Sequence, residues 1–170
     1  MSLSNLRIGH GFDVHKFADQ FDADKPLILA GVTLAERKSL LAHSDGDVVL
    51  HSLIDGLLGA MACGDIGQLF PDTDPNIKGI SSVYMLNHVL DLLAQKNGQL
   101  INIDVTAVAQ VPKLSPYREA ITQSLGELTG LPLDRVNFKA TTTERMGYVG
   151  REEGIACHCV VLLEITPPCL

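Results

Sequence analysis

Asp13 and His15 stand two apart in the stretch GHGFDVHKF, residues 9–17. The run reads as a strand, and side chains along a strand alternate between faces, so this carboxylate and imidazole point the same way. Asp47, His51 and Asp55 follow at i, i+4 and i+8 in LLAHSDGDVVLHSLIDGLLGAMACG, a spacing that lines them along one helix face. Asp13, His15 and His51 are three ligands of the kind that hold a divalent zinc with one position open, as catalytic sites do. Asp47 and Asp55, four residues either side of His51, can each accept a ring N–H, the outer support that a metal-bound histidine needs. The alternative is a core histidine satisfied by hydrogen bonds, since His51 lies among Val48, Val49, Leu50, Leu53 and Ile54. Spacing alone leaves both open, because it does not show that the strand meets the helix.

Further polar groups lie at the ends of predicted elements. In AHSDGD (42–47), His43 and Ser44 precede the helix, whose free N–H groups and positive dipole end suit a phosphate; the same letters also make a plain cap. ATTTER (140–145) offers hydroxyls that can donate to phosphate oxygens and Glu144 as ligand for a harder cation such as Mg²⁺, although threonines are good strand formers in any case. AQVPKLSP (109–116) carries Lys113, either a phosphate or base contact or part of a solvated turn. In CHC (157–159), the two thiols share a strand face and His158 takes the other. No second pair completes a tetrahedron, so they read as small buried hydrophobes.

The chain that must position these groups has 170 residues, 46% hydrophobic and 19% charged, which suits a globular fold and is too apolar for disorder. One domain over residues 1–170 is expected, with 1–4 set aside as a tail. A net charge of −7 argues against nucleic acid or an anionic membrane as main partner, because each requires a cationic patch. No run of apolar residues is long enough to span a membrane, and the start lacks a signal or transit pattern. Cys63, Cys157, Cys159 and Cys169 are expected to be reduced thiols in a cytoplasmic protein.

The patterning predicts a strand over 6–14, a hairpin over 26–34 turning at Gly31, and a helix over 46–62 capped by Ser44 or Asp45 and ended by Gly64. A loop follows over 65–79, then a helix from Ser81 or Ser82 to Lys96, closed by Asn97-Gly98. A half-buried strand covers 101–111. Pro116 opens a helix with Tyr117, Ala120, Ile121, Leu125 and Leu128 as its stripe and Gly130 at its end. Strands over 135–144 and 154–165 complete the chain, the last apolar on both faces. The expected architecture is an α/β two-layer sandwich, a mixed sheet with helices on one face. The strands carry more apolar surface than one helical layer covers, so oligomerisation through the other face is expected.

GHGFDVH, LLAHSDGDVVLH, GDIGQLFPDTDP, QVPK and KATTTE, in this order from about Arg7 to Ile165, resemble the 2-C-methyl-D-erythritol 2,4-cyclodiphosphate synthase family. The resemblance implies a homotrimer with active sites between neighbouring subunits. It implies that the 2-phosphate of 4-diphosphocytidyl-2-C-methyl-D-erythritol 2-phosphate attacks the β-phosphorus, expels CMP and closes a cyclic diphosphate, a step of non-mevalonate isoprenoid synthesis. Position by position, Asp13, His15 and His51 match the zinc ligands, and Glu144 the residue on a second cation, Mg²⁺ or Mn²⁺. His43 and Thr142 match the transition-state stabilisers.

The substrate contacts carried over near the metal are Asp13, Val14, His15, His43 and Asp55. Those of the methylerythritol-phosphate pocket are Ser44, Asp65, Ile66 and Gly67 with Phe70, Pro71, Asp72, Thr73 and Asp74. The cytidine-diphosphate side falls on Ala109, Gln110, Val111, Pro112, Lys113, Leu114 and Ser115 and on Thr141, Thr142, Thr143 and Glu144; Tyr148 and Arg151 complete the substrate contacts. The 65–79 loop is the candidate lid, since intramolecular attack requires water to be kept out. Tyr148 stands where the family often has Phe. His158 stands where it often has a Glu paired with the Arg that is here Arg151, near the threefold axis. An isoprenoid diphosphate or other anion in the trimer's central cavity would thus meet a side chain whose charge changes near neutrality. Two other functions would use the same residues. A zinc phosphohydrolase would activate water at Asp13, His15 and His51 and yield a linear phosphate. A non-enzymatic trimer storing metal or carrying a hydrophobic ligand would need neither Thr142 nor Glu144.

Overall fold

The computed structural model describes residues 3–71 and 79–166. Strand β1 (Leu6–Lys16) lies directly against helix α1 (Val48–Ala60) because two of its inward residues have no side chain. A Cβ on Gly9 would come within 1.9 Å of the Gly56 carbonyl oxygen, and one on Gly11 within 1.8 Å of that of Ser52. Backbone therefore packs on backbone, and the next inward residues of β1, Asp13 and His15, reach the first turn of α1. This contact is what spacing could not supply.

The sheet has strand order β1-β6-β4-β5. Strand β6 (Gly154–Ile165) pairs antiparallel with β1 and with β4 (Gly98–Val108), and β5 (Val136–Thr141) runs parallel to β4. Helices α1, α3 (Ser82–Gln95) and α4 (Arg118–Thr129) pack on one sheet face. That face buries Ile155, Cys157, Cys159, Val161 and Leu163 of β6 against Leu50, Leu53, Ile54, Leu57 and Leu58 of α1. Helix α1 is buried almost all round. Strands β2 (Ile28–Leu29) and β3 (Val32–Thr33) form the expected hairpin, with φ of +52° at Ala30 and +74° at Gly31.

Several boundaries differ from expectation. Asp47, rather than Ser44 or Asp45, caps α1, accepting from the Val49 and Leu50 N–H groups, and the helix stops at Ala60, ahead of Gly64. Residues 65–79 are not loop throughout, because Asp65 accepts from Gln68 N and nucleates a short helix, α2 (Ile66–Leu69). Asp72, Thr73, Asp74 and Cys169 lie outside the described residues. β4 ends at Val108, and a register shift between Leu100 and Asn102 breaks the alternation near Ile101. Pro116 lies in a 3-10 turn, Ser115–Tyr117, that leads into α4, and Ala120 is exposed rather than part of the apolar stripe. β5 ends at Thr141, since Glu144 and Arg145 turn to φ of +51° and +65°. Around the middle of β6 the second face stays open, with Val160 42% and the neighbouring Phe12 43% exposed.

The three described cysteines are free thiols. Cys157 and Cys159 are buried with His158 on the opposite face, as the alternation requires, and burial pushes the Cys157 thiol up to about 12. No helix among the described residues is long and apolar enough to cross a membrane.

Candidate active site

Asp13 and His15 from β1 and His51 from α1 converge. Asp13 Oδ2 lies 3.0 Å from His15 Nε2 and 3.0 Å from His51 Nδ1, and the two nitrogens are 3.0 Å from each other. The partners on the far side of each ring decide which nitrogens hold hydrogen. His15 Nδ1 lies 3.2 Å from the Leu41 carbonyl, which only accepts, so Nδ1 carries the hydrogen and Nε2 the lone pair. His51 Nε2 faces the hydroxyls of Ser82 at 2.8 Å and Ser44 at 3.2 Å. Ser82 donates its hydrogen to Asp45, so toward His51 it accepts, and His51 Nδ1 is left with a lone pair.

Two nitrogen lone pairs and a carboxylate oxygen thus face one another, mostly out of water. Such a triangle repels itself unless a metal ion or a proton occupies it. Ligands at about 2.0–2.1 Å around a tetrahedral zinc lie about 3.3 Å apart, close to the 3.0 Å spacing here, so the donor set fits a metal ion. The pKa shifts follow from the same geometry. With no metal bound, a proton can take the ion's place in the triangle; burial raises the Asp13 carboxyl, but the hydrogen bonds and charge that His15 and His51 then offer outweigh it and hold the group well below the usual carboxylate range. Burial lowers His15, and its bond and attraction to Asp13 raise it beyond that.

The flanking aspartates do not support His51, contrary to expectation. Asp47 is fully buried and turns away to accept from Ala30 N and Gly31 N as well as from its own helix. Burial pushes its carboxyl up to about 6 against the bonds from the Gly31, Leu50 and Ala30 N–H groups. Asp55 accepts from Ile66 N at 2.8 Å and ties α2 to α1 beside the site. An N-cap and a loop tether outcompete the ring for both carboxylates. Ser82, which the sequence offered only as a helix start, takes their place.

Around the triad a pocket is lined by His43, Ser44, Ile66, Gly67 and Phe70. Val14 projects onto the opposite sheet face, and Asp65 caps α2. Most of the residues expected on the cytidine side line a separate pocket beyond the C-terminal ends of the parallel pair β4 and β5. There Ala109, Gln110, Pro112, Lys113, Leu114 and Ser115 meet Thr141 and Thr142. Thr142 Oγ1 donates to Glu144 Oε1 at 2.9 Å, Thr143 Oγ1 donates to the Met146 carbonyl, and Arg145 N donates to Gln110 Oε1 at 3.2 Å. These bonds hold two consecutive left-handed residues, a strain of the sort that concentrates at functional sites. The two pockets share no lining residue. Tyr148 lines a third pocket with Phe12 and His158. Arg151 pairs with Glu153 at 2.7 Å, while His158 bonds to His10 at 3.1 Å.

The sequence model of the YgbB family matches residues 6–164, from the start of β1 to the end of β6. A 2-C-methyl-D-erythritol 2,4-cyclodiphosphate synthase of Idiomarina loihiensis is 52% identical over 94% of this chain and 98% of its own length. Among solved structures, the bifunctional IspDF of Campylobacter jejuni superposes with a TM-score of 0.88 at 42% identity over 95% of this chain, which spans 43% of that longer protein. The CDP complex of IspF from Plasmodium falciparum superposes at 0.82 with 34% identity, covering 97% of this chain and 99% of that one. Extent, identity and shape agree from β1 to β6, and the chain belongs to the YgbB family, that of the 2-C-methyl-D-erythritol 2,4-cyclodiphosphate synthases.

Proposed function

We propose that this chain cyclises 4-diphosphocytidyl-2-C-methyl-D-erythritol 2-phosphate to 2-C-methyl-D-erythritol 2,4-cyclodiphosphate with release of CMP, as a metal-dependent phosphorus–oxygen lyase. The observation that carries the reading is the Asp13–His15–His51 triangle, three converging acceptors 3.0 Å apart at the wall of an open pocket. Zinc is the ion assigned to it, on the chemistry of one carboxylate and two imidazoles. Glu144 is assigned to a second, oxygen-preferring cation, Mg²⁺ or Mn²⁺.

Attack of an anionic phosphate on an anionic diphosphate is opposed by charge repulsion, and no covalent nucleophile is required of the protein. Ions held by Asp13, His15 and His51 and by Glu144 would supply the positive charge that neutralises this repulsion. His43 and Thr142 stabilise the charge that develops on the equatorial oxygens. Thr142 is hydrogen-bonded to Glu144, so hydroxyl and carboxylate act as one unit. Ser44, Ile66, Gly67 and Phe70 surround the methylerythritol phosphate, and Lys113 supplies a cation on the cytidine-diphosphate side.

A substrate spanning both pockets has its two halves in places that share no residue within one chain. This supports a homotrimer in which one subunit's triad meets its neighbour's Thr142 and Glu144. The exposed apolar side chains Ile8, Phe12, Val14 and Val160 on the open sheet face support the same assembly, with that face inward.

The test is metal analysis of the purified protein with a turnover assay on the diphosphocytidyl substrate, with and without chelator, read by ³¹P NMR. A cyclic diphosphate and CMP, lost with zinc and regained on its return, are expected. A linear phosphate product would instead make the site a phosphohydrolase. Full turnover by a zinc-free His51→Ala variant would remove the metal from the reaction.

A further inference from the structure

Ser82 is the first residue of α3, yet it caps nothing; Ser81 is the cap, and it makes no side-chain cap bond. Ser82 is wholly buried, and its hydroxyl bridges two polar groups from elsewhere in the fold. One is Asp45, which accepts the hydroxyl hydrogen at Oδ1 and the Ser82 N–H at Oδ2, the latter at 2.9 Å. The other is His51 Nε2, 2.8 Å from Ser82 Oγ.

A serine hydroxyl has one hydrogen, and an ionised carboxylate only accepts. With that hydrogen held by Asp45, Ser82 presents a lone pair to His51, and Nε2 must bear the ring's hydrogen. Nδ1, the nitrogen 3.0 Å from both Asp13 Oδ2 and His15 Nε2, is thereby kept free to bind an ion. We propose that Asp45 and Ser82 are positioning residues that fix the tautomer and orientation of His51 for metal binding. The inference rests on the reading of Asp13, His15 and His51 as a metal centre.

Ser44 does not serve in this role. It lies farther from the ring, at 3.2 Å, and accepts from Gly46 N, so its own hydrogen is uncommitted and available to a ligand in the pocket. Asp45 does more than hold Ser82. Its N–H donates to the Ile80 carbonyl at 3.3 Å, and Gly79 N donates to the His43 carbonyl at 2.8 Å. The loop bearing His43 and Ser44 is thus stitched to the start of α3 by the same residue that orients the metal ligand. A carboxylate behind a ligating imidazole is a familiar device; here the Ser82 hydroxyl stands between the two.

The test uses the full chain with Ser82→Ala and Asp45→Asn. An amide cannot accept at both positions where Asp45 does, so either substitution breaks the relay. Two quantities are read: the zinc dissociation constant, by competition with a chromophoric chelator, and the His51 tautomer in metal-free protein, from imidazole ¹⁵N shifts near pH 8. Wild type should show the Nε2–H form. Both variants should bind zinc about 10–100-fold more weakly, with population moved to Nδ1–H. Dissociation constants within twofold of wild type, with His51 still in the Nε2–H form, overturn the relay; a purely structural serine would lower the melting temperature and leave both readings unmoved. If Ser82→Ala does not fold, Asp45→Asn decides. If wild type binds no zinc, the metal-centre reading fails, whereas a wild-type His51 in the Nδ1–H form overturns the relay itself.

Discussion

Replacing Gly11 by alanine tests whether backbone contact between β1 and α1 is what assembles the site. The added Cβ would lie 1.8 Å from the Ser52 carbonyl oxygen and 2.6 Å from Gly56 N, both backbone atoms of a helix packed on every side. Ordinary contact begins near 3.4 Å, so strand and helix must part by about 1.6 Å. Ser52 follows His51 directly, and Asp13 lies two residues beyond Gly11, so the gap opens beside the triad. Metal sites tolerate displacements of about 0.2 Å in ligand distance, several times less than this parting. The fold has more latitude: overpacking of this kind costs about 1–3 kcal/mol, or roughly 2–12 °C in melting temperature for a chain of this size. Gly11→Ala should therefore lose zinc affinity by at least about 100-fold while still unfolding cooperatively by circular dichroism. Gly59→Ala, on the same helix with nothing within 4 Å of its new Cβ, should keep zinc binding and gain about 0.5–1 kcal/mol. A Gly11→Ala protein with wild-type zinc affinity would refute the reasoning.

Asp47→Ala leaves four N–H groups of the β2–β3 turn and the α1 start without their acceptor. It should cost about 3 kcal/mol or more, read as a fall of at least about 6 °C in melting temperature. In the metal-free protein, His15 is held above its ordinary 6.5 by Asp13, so its stabilisation is complete below pH 6.5 and fades as pH rises through the higher folded value. Zinc competes for the same nitrogen and should bind more weakly as pH falls; a stability difference between wild type and His15→Gln that is flat with pH would contradict this. Lys113→Ala should weaken CDP binding roughly tenfold by calorimetry, from the loss of a charge-assisted bond of about 1.5 kcal/mol, with a smaller effect on kcat. Mixing His51→Ala with Thr142→Ala chains under subunit exchange should restore about one quarter of wild-type activity if each site draws on two subunits of a ring, and none if each chain acts alone.

The members of the Asp13–His15–His51 triangle could be picked out in the sequence because D-x-H on a strand and a histidine on an apolar helix each restrict which way a side chain faces. What those side chains bond was not. Asp47 and Asp55 stand on the correct side of α1, yet one is captured by backbone N–H groups at the helix start and the β2–β3 turn, the other by Ile66 N. Periodicity carries the direction of a carboxylate but not the competition for its lone pairs. Ser82 was hidden for a related reason, since a serine at a helix start has a ready role as a cap. The overextended strand at 135–144 failed at Glu144, whose positive φ no residue-type preference announces. The glycines of GHGFDVH were the one unused clue, because inward-facing Gly9 and Gly11 on a strand signal close approach of another backbone.

The two halves of the site differ in what holds them. His51 rides on a helix buried almost all round, clamped by β1 below and by Ser82 and Asp45 at its side. Such ligands cannot adjust much, which suits an ion whose bond lengths vary by tenths of an ångström. Thr142 and Glu144 lie instead on an exposed turn past the end of β5, held by short side-chain bonds around two left-handed residues. On the proposed reading, that half holds the diphosphate and the second cation. A reaction that needs one fixed reference point and one adaptable clamp is served by placing the first inside the packed core and the second at the carboxyl ends of the parallel pair β4 and β5, where open sheets offer crevices to ligands.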